Sequence, residues 1–204
     1  MAKEFLCRDC RQPFTVAPDI LAQYPSWTPR LCQTCLKEER EGSTSKLTPS
    51  EVLNRFSSGP QTGVFTDGFS EPNPGSGGWG AVKVIDGQII EERCGHEEQT
   101  TNNRMELKAL IEGYKILSPD EDLSVFTDSE LCVNIVTKWA PSWERHGWTR
   151  GKKREEIKNL DLVKELCELA KSHPKAKLQW IKGHAGSRWN EYADSLSRAY
   201  QIEV

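Results

Sequence analysis

The stretch Gly63-Val64-Phe65-Thr66-Asp67-Gly68, set beside Val125-Phe126-Thr127-Asp128-Ser129, decides how this chain folds. Both are short β-type runs of Val, Phe and Thr. Both end on an aspartate where the alternation asks for an apolar side chain. Two further acids stand in helix-like stretches: Glu106 in Thr101-Asn102-Asn103-Arg104-Met105-Glu106-Leu107, and Asp194 in Asn190-Glu191-Tyr192-Ala193-Asp194. Carboxylates gathered from separate elements repel one another unless a cation lies between them. Hard divalent cations prefer oxygen ligands, so a magnesium-type site is the natural filler. One Asp at a strand end is ordinarily a solvated or capping residue. Four acids together, with the loop Lys182-Gly183-His184-Ala185-Gly186 shortly before the last, point to a site.

Outward from these runs, the spacing predicts a strand over 63–67 and a hairpin of 79–85 with 88–94 across Asp86-Gly87, a strong turn signal. A helix begins near Asn102, with Met105, Leu107, Leu110, Ile111 and Tyr114 as its apolar positions. A strand over 123–127, a helix from Ser129, a helix over 159–171, a strand over 177–181 and a last helix over 190–200 follow. A hairpin sheet succeeded by alternating helices and strands implies an α/β fold, a mixed sheet with helices on its faces. Upstream, Thr48-Pro49-Ser50-Glu51 combines an N-cap Thr, Pro at the first helical position and Glu at the third. A short helix to about Phe56 is expected there, inside a linker spanning 43–60, and it can pack on either neighbouring unit.

Taken in order, Thr66-Asp67-Gly68, Asn73-Pro74-Gly75 with Gly77-Gly78-Trp79-Gly80, Thr101-Asn102-Asn103-Arg104-Met105-Glu106, Thr127-Asp128-Ser129, Lys182-Gly183-His184-Ala185-Gly186 and Asn190-Glu191 with Asp194 resemble type I ribonuclease H over about residues 61–204. The resemblance implies the ribonuclease H-like fold and a metal-dependent endonuclease. Such an enzyme hydrolyses the RNA strand of RNA–DNA hybrids to 5′-phosphomonoesters, with two Mg²⁺ ions per site and Mn²⁺ as an alternative. It makes Asp67, Glu106, Asp128 and Asp194 the catalytic acids and cation ligands, and none of them is replaced. Asp67 would bridge the two cations, with Gly68 leaving the substrate room to approach. Glu106 and Asp128 would complete one shell, and Asp194 with Asp67 would hold the other cation. His184, in its glycine-flanked loop, is expected to ferry protons or assist product release. Glu191, one turn before Asp194, is placed to tune that carboxylate.

Substrate contacts divide into an RNA side and a DNA side. Asn73, Thr101, Asn102 and Asn103 offer amides, a hydroxyl and backbone N–H groups of a helix start to sugar hydroxyls and phosphates. Glu130, two positions after Asp128, departs from the Gln often found there, which alters a minor-groove contact. Between 138 and 154 the composition turns basic: Lys138, Arg145, Arg150, Lys152, Lys153 and Arg154 stand against Glu144 alone, interleaved with Trp139, Trp143 and Trp148. Such a segment is an electrostatic grip on a nucleic-acid backbone, and it resembles the basic protrusion with which type I ribonucleases H grip the DNA strand.

Four of the seven cysteines fall in two pairs, Cys7-Arg8-Asp9-Cys10 and Cys32-Gln33-Thr34-Cys35. Paired Cys-x-x-Cys reads as one structural tetrahedral Zn²⁺, with a redox dithiol or simple buried thiols as alternatives. Residues 1–42 are therefore expected to form a zinc-ribbon-like module, too short to bury a sufficient core without metal. Its partner is expected to be a nucleic acid or a protein, and because its basic and acidic residues nearly balance, the affinity it adds should be modest or directed at a protein.

The chain has 204 residues, 36% of them hydrophobic, and a net charge of −3, which excludes a uniformly basic nucleic-acid coat. No stretch approaches the roughly 20 apolar residues that span a bilayer, and Met1 to Cys7 holds no apolar signal region. No membrane partner, a cytoplasmic location and a monomer are expected. Two rival functions remain: a non-catalytic hybrid-binding adaptor, against which the intact carboxylates speak, and a DNA-directed nuclease or resolvase. Thr101-Asn102-Asn103 and the basic segment favour hybrids.

Overall fold

The computed structural model describes residues 3–8, 11–23, 28–30, 32–33, 47–151 and 153–201. Cys10, Cys35 and Lys152 lie outside the described residues. The chain divides into two compact units, Met1–Lys46 and Leu47–Val204.

In the first unit β1 (Lys3–Leu6) pairs antiparallel with β2 (Pro13–Val16), placing Phe5 opposite Phe14 with ring centroids 5.8 Å apart. The short helix α1 (Pro18–Gln23) follows. Cys7 is fully buried directly after β1. Its N–H donates to the Gln12 carbonyl at 3.0 Å, and its own carbonyl accepts from Arg11 N–H at 3.1 Å, closing a tight turn. The Cys32 N–H donates to Cys7 Sγ at 3.4 Å, which brings the first residues of both cysteine pairs together.

The second unit opens with α2 (Pro49–Arg55). Its capping box is complete: Glu51 N–H donates to Thr48 Oγ1, and Thr48 N–H donates to Glu51 Oε2 at 2.8 Å. The helix packs on the last long helix of this unit through fully buried Val52, so the packed unit begins at Leu47. Next come β3 (Gly63–Ser70), β4 (Gly75–Ile85), β5 (Gln88–Thr100) and β6 (Ser124–Thr127). A separate two-residue hairpin, β7 (Thr149–Arg150) with β8 (Glu155–Glu156), lies in the basic segment, and β9 (Lys177–Trp180) is the last strand. The main sheet has five strands in the order β5-β4-β3-β6-β9. β3, β4 and β5 run antiparallel, while β6 and β9 add in parallel on the other side of β3. At the β4–β5 turn Asp86 and Gly87 take φ of +48° and +76°, the paired left-handed conformation of a two-residue hairpin.

The central strand is buried on both faces, as a strand covered twice must be. The helix α3 (Asn102–Lys115) packs on one face. The helix expected from Ser129 is a broken run: α4 (Glu130–Asn134), a π-helical turn over Ile135–Trp139, and α5 (Ala140–Arg145). Pro141 has no N–H to continue the ladder, which accounts for the irregular turn before it. Val64 and Val125 enter one core with Leu107, Leu110, Ile111 and Tyr114 of α3, and with Val163 and Leu166 of α6 (Leu160–Ser172). Their neighbours Phe65 and Phe126 enter the other core, stacked at 4.8 Å, beneath Trp189, Tyr192, Ala193 and Leu196 of α7 (Arg188–Ser197).

β3, β4 and β5 extend past their expected ends. β4 begins at Gly75, so Gly77 and Gly78 lie within the strand, ahead of the expected start at 79. A Cβ on Gly78 would overlap the Ser197 carbonyl, and one on Gly80 would press on the Ala193 carbonyl, so these glycines let α7 lie directly on the strand. Among the described residues no helix is long and apolar enough to cross a membrane.

Candidate active site

Asp67 lies on β3 on the face that carries Phe65, and Asp128 follows β6 on the face that carries Phe126, so the parallel pairing of these strands aligns their carboxylates. Glu106 reaches them from the first turns of α3. One oxygen from each of Asp67, Glu106 and Asp128 lies within 4.8 Å of the others. Asp194, on α7, forms a second group with His184 and Glu191 by the same measure. The two groups adjoin through Ser197, whose O–H donates to Asp67 Oδ2 at 3.2 Å one turn after Asp194.

Concentrating these acids costs free energy, and their ionisation shows it. Burial, followed by the charges of Asp194 and Asp128, holds the Asp67 carboxyl well above the usual range, although Arg198 and Ser197 pull the other way. Glu106 is held high by burial and then by Asp67, Asp128 and Asp194. Burial raises Asp128 as well, against a 3.5 Å hydrogen bond donated by Asn190 Nδ2. Glu106 Oε2 and Asp194 Oδ2 are buried without a hydrogen-bond partner among the described residues. Four carboxylates faced by the Arg198 guanidinium, with two oxygens left over, form a donor set that fits hard divalent cations.

The surroundings hold the acids in place. Arg198 Nε donates to Asp194 Oδ1 at 3.0 Å, and its guanidinium lies over the Phe69 ring. Trp180 Nε1–H donates to the Asp128 carbonyl at 3.0 Å. Arg198 and Ser197 were not among the residues expected from sequence. Their signal was helical spacing, four and three residues after Asp194, with polar groups turned toward a buried acid. Gly68 has a different use from the expected one. Its missing side chain is filled by the α3 backbone at Met105 and Glu106, so it admits the helix and not a substrate. His184 sits at φ +48° in an exposed loop, its Nδ1 3.8 Å from Glu191 Oε2. That contact, despite partial burial, raises the imidazole pKa to about 9. Glu191 Oε1 also accepts the Gly186 N–H at 3.0 Å.

The expected RNA-side residues cluster at the start of α3, and several of their polar atoms are already engaged. Thr101 is the N-cap and accepts Arg104 N–H; Asn73 Oδ1 accepts Asn102 N–H at 3.2 Å; Asn102 Oδ1 accepts Ser70 N–H at 2.6 Å. The backbone N–H groups of Asn102 and Arg104 are therefore engaged within the protein, which narrows the expectation at those two positions. What these residues present outward are the amide donors of Asn73, Asn102 and Asn103, all on exposed residues. In the basic segment Trp143 and Trp148 pack against the larger core, Lys164 covers the Trp148 ring, and Trp139 is the most exposed of the three. Glu144, the one acid there, is neutralised by Lys171 at 2.7 Å. Lys153 and Arg154 lie at the exposed hairpin, and a cleft of about 490 Å³ opens between Ser142, Trp143, His146, Thr149, Gly151 and Arg154.

The ribonuclease H family model matches residues 60–201, a span that includes every carboxylate above. The chain belongs to the ribonuclease H family. Curated ribonucleases H bear the same relation: that of Ruegeria pomeroyi is 44% identical over 145 residues, covering 69% of this chain and 92% of the relative. That of a Wolbachia of Drosophila simulans is 38% identical over 144 residues, covering 71% and 97%. Among solved structures, LC9-RNase H1, a type 1 RNase H with the type 2 active-site motif, superposes with a TM-score of 0.57 at 28% identity, covering 70% of this chain and 74% of that one. The ribonuclease H fold of the second unit, a mixed five-stranded sheet flanked by helices, is thereby shared with enzymes of the family. Residues 1–59 precede the family match.

Proposed function

We propose that this ribonuclease H hydrolyses the RNA strand of RNA–DNA hybrids, with Asp67, Glu106, Asp128 and Asp194 holding two divalent cations, Mg²⁺ or Mn²⁺. The observation that carries the reading is the convergence of these acids from β3, α3, the end of β6 and α7 in two adjoining groups, two of their oxygens buried without partners among the described residues. Cations bound there would lower the pKa of water and stabilise charge on the leaving oxygen. The chain's own groups do the rest. Ser197 and Arg198 orient Asp67 and Asp194; Asn190 and Trp180 fix Asp128 and its backbone. His184, whose imidazole pKa the Glu191 contact raises, would carry a proton on the solvent side of the cluster. The outward amides of Asn73, Asn102 and Asn103 beside Thr101 suit the 2′-hydroxyls that distinguish RNA. Trp139, Lys153 and Arg154, with Lys152 beside them in sequence and Trp143 and Trp148 as their apolar base, suit the DNA backbone.

We propose further that Cys7, Cys10, Cys32 and Cys35 hold one structural Zn²⁺, making residues 1–42 a zinc-ribbon-like module that engages nucleic acid or a protein. The Cys32 N–H aimed at Cys7 Sγ supports this, since a thiolate ligand accepts such bonds. The deciding experiment incubates labelled hybrid, duplex RNA and duplex DNA with the chain in Mg²⁺, Mn²⁺ or chelator. Cleavage of the RNA strand of the hybrid alone, abolished by chelator, is expected. Cleavage of duplex DNA, or activity without divalent cation, would overturn the reading.

A further inference from the structure

The last residues before the family match are tied to the loop that carries His184. α2 lies on α7, with Val52 wholly buried against the Trp189 side of the smaller core and Leu53 and Phe56 beside it. Beyond α2 the chain turns along the base of the loop. Ser58 makes an isolated parallel bridge with Ser187, its carbonyl accepts Arg188 N–H at 2.9 Å, and its Oγ–H donates to the Gly186 carbonyl at 2.6 Å. Arg188 Nη2 in turn donates to the Leu53 carbonyl at 3.1 Å. Gly59, at φ +95°, packs against the Ser187 side chain with no room for a Cβ. Gly186, at φ +79°, and Ser187, the N-cap residue of α7, form the junction at which the His184 loop would hinge. The other end of the loop is held elsewhere, with Gly183 against the Asp128 carboxylate.

We propose that residues 47–59 act as a clamp that fixes this hinge, making Ser58 a positioning residue that acts through His184. Fixing one end of a glycine-flanked loop limits the arc its histidine can sweep, so the clamp bears on turnover and not on the grip on substrate. The inference rests on the proposed hydrolysis of hybrids.

The test uses the full chain and measures kcat and KM on labelled hybrid for Ser58→Ala, His184→Ala and the double variant. Ser58→Ala should lower kcat about 2–10-fold, the range one hydrogen bond corresponds to, with KM within about twofold. In the His184→Ala background the same substitution should change kcat by less than about 1.5-fold, because the residue through which it acts is gone. Arg188→Lys, which removes a separate tie, should show the same coupling, and Ser58→Thr, which keeps the hydroxyl, should restore kcat. An equal loss in both backgrounds, or no loss in either, would overturn the clamp. A chain that fails to cleave hybrid at all would instead overturn the function on which the clamp rests.

Discussion

Asp67 answers to two demands, since the crowding of acids that would make it a good ligand also strains the fold that holds it. Its folded pKa lies above the ordinary value of about 3.9. The stability linked to it is therefore fully present below that ordinary value and is lost as pH rises through the folded one. Asp67→Asn should abolish hydrolysis, largely spare hybrid binding, and raise the thermal midpoint at pH 7 in chelator by a few degrees, at about 2–4 °C per kcal/mol. The gain should vanish near pH 4, where the native carboxyl is also neutral; a gain that persists there would exclude repulsion as its cause. His184→Ala should leave measurable turnover in single-turnover assays, because a positioned acid or base contributes about 10²–10⁴-fold and the four carboxylates remain. Asp67 and Asp128 were legible in the sequence because a carboxylate ending an apolar run has no packing role, and Glu106 and Asp194 because of the motifs around them. Ser197 and Arg198 were not, because Ser and Arg late in a helix are ordinary surface residues until a buried acid is seen beside them.

Among elements, the seat of α3 on β3 controls where Glu106 points. Gly68→Ala would drive a methyl into the Met105–Glu106 backbone. It should destabilise the second unit by about 1–3 kcal/mol in denaturant titrations and lower hydrolysis further than the unfolded fraction explains. The basic segment should answer to salt. Replacing Lys153 and Arg154, together with Lys152, by Gln should flatten the slope of log affinity against log salt by up to about 0.9 for each phosphate that is no longer neutralised. An unchanged slope would reduce the hairpin to a solvated surface. The elements themselves were largely readable, since Asp86-Gly87 fixes the β4–β5 hairpin and the apolar positions of α3 keep helical spacing. The start of β4 at Gly75 was not readable because glycine signals a turn locally, and only the packing of α7 shows that the missing side chains make room for a helix. The π-helical turn was hidden for a similar reason, since one proline inside a helical stretch does not say how the ladder will adjust.

For the whole molecule, the division at Lys46 and Leu47 sets where it can be cut. A chain starting at Leu47 should fold and cleave hybrid. One starting at residue 61 should lose about 3–5 kcal/mol, measured by urea unfolding, because Val52, Leu53 and Phe56 no longer cover the smaller core. Metal analysis of the full chain should find one zinc, and its removal should unfold residues 1–42 while the second unit still cleaves once Mg²⁺ is restored. Zinc absent from carefully purified protein would overturn that module. Whether α2 joined one unit or the other could not be read from sequence, because a seven-residue helix with an apolar face fits any partner that offers a groove.

The arrangement of β3 has one more consequence. Val64 and Phe65 are neighbours in sequence but belong to different cores, and the strand is hydrogen-bonded on both sides, to β4 and to β6. Neither core can open without unzipping this strand, so the two faces form one cooperative unit. In native-state hydrogen exchange the amides of 64–67 should be released only by global unfolding, while those of 183–185 should exchange from the folded state. Asp67 then stands on the slowest-exchanging backbone of the protein and His184 on some of the fastest. On the proposed reading, the reaction centre would join a ligand that moves only when the whole domain unfolds to a proton donor on a loop that exchanges from the folded state.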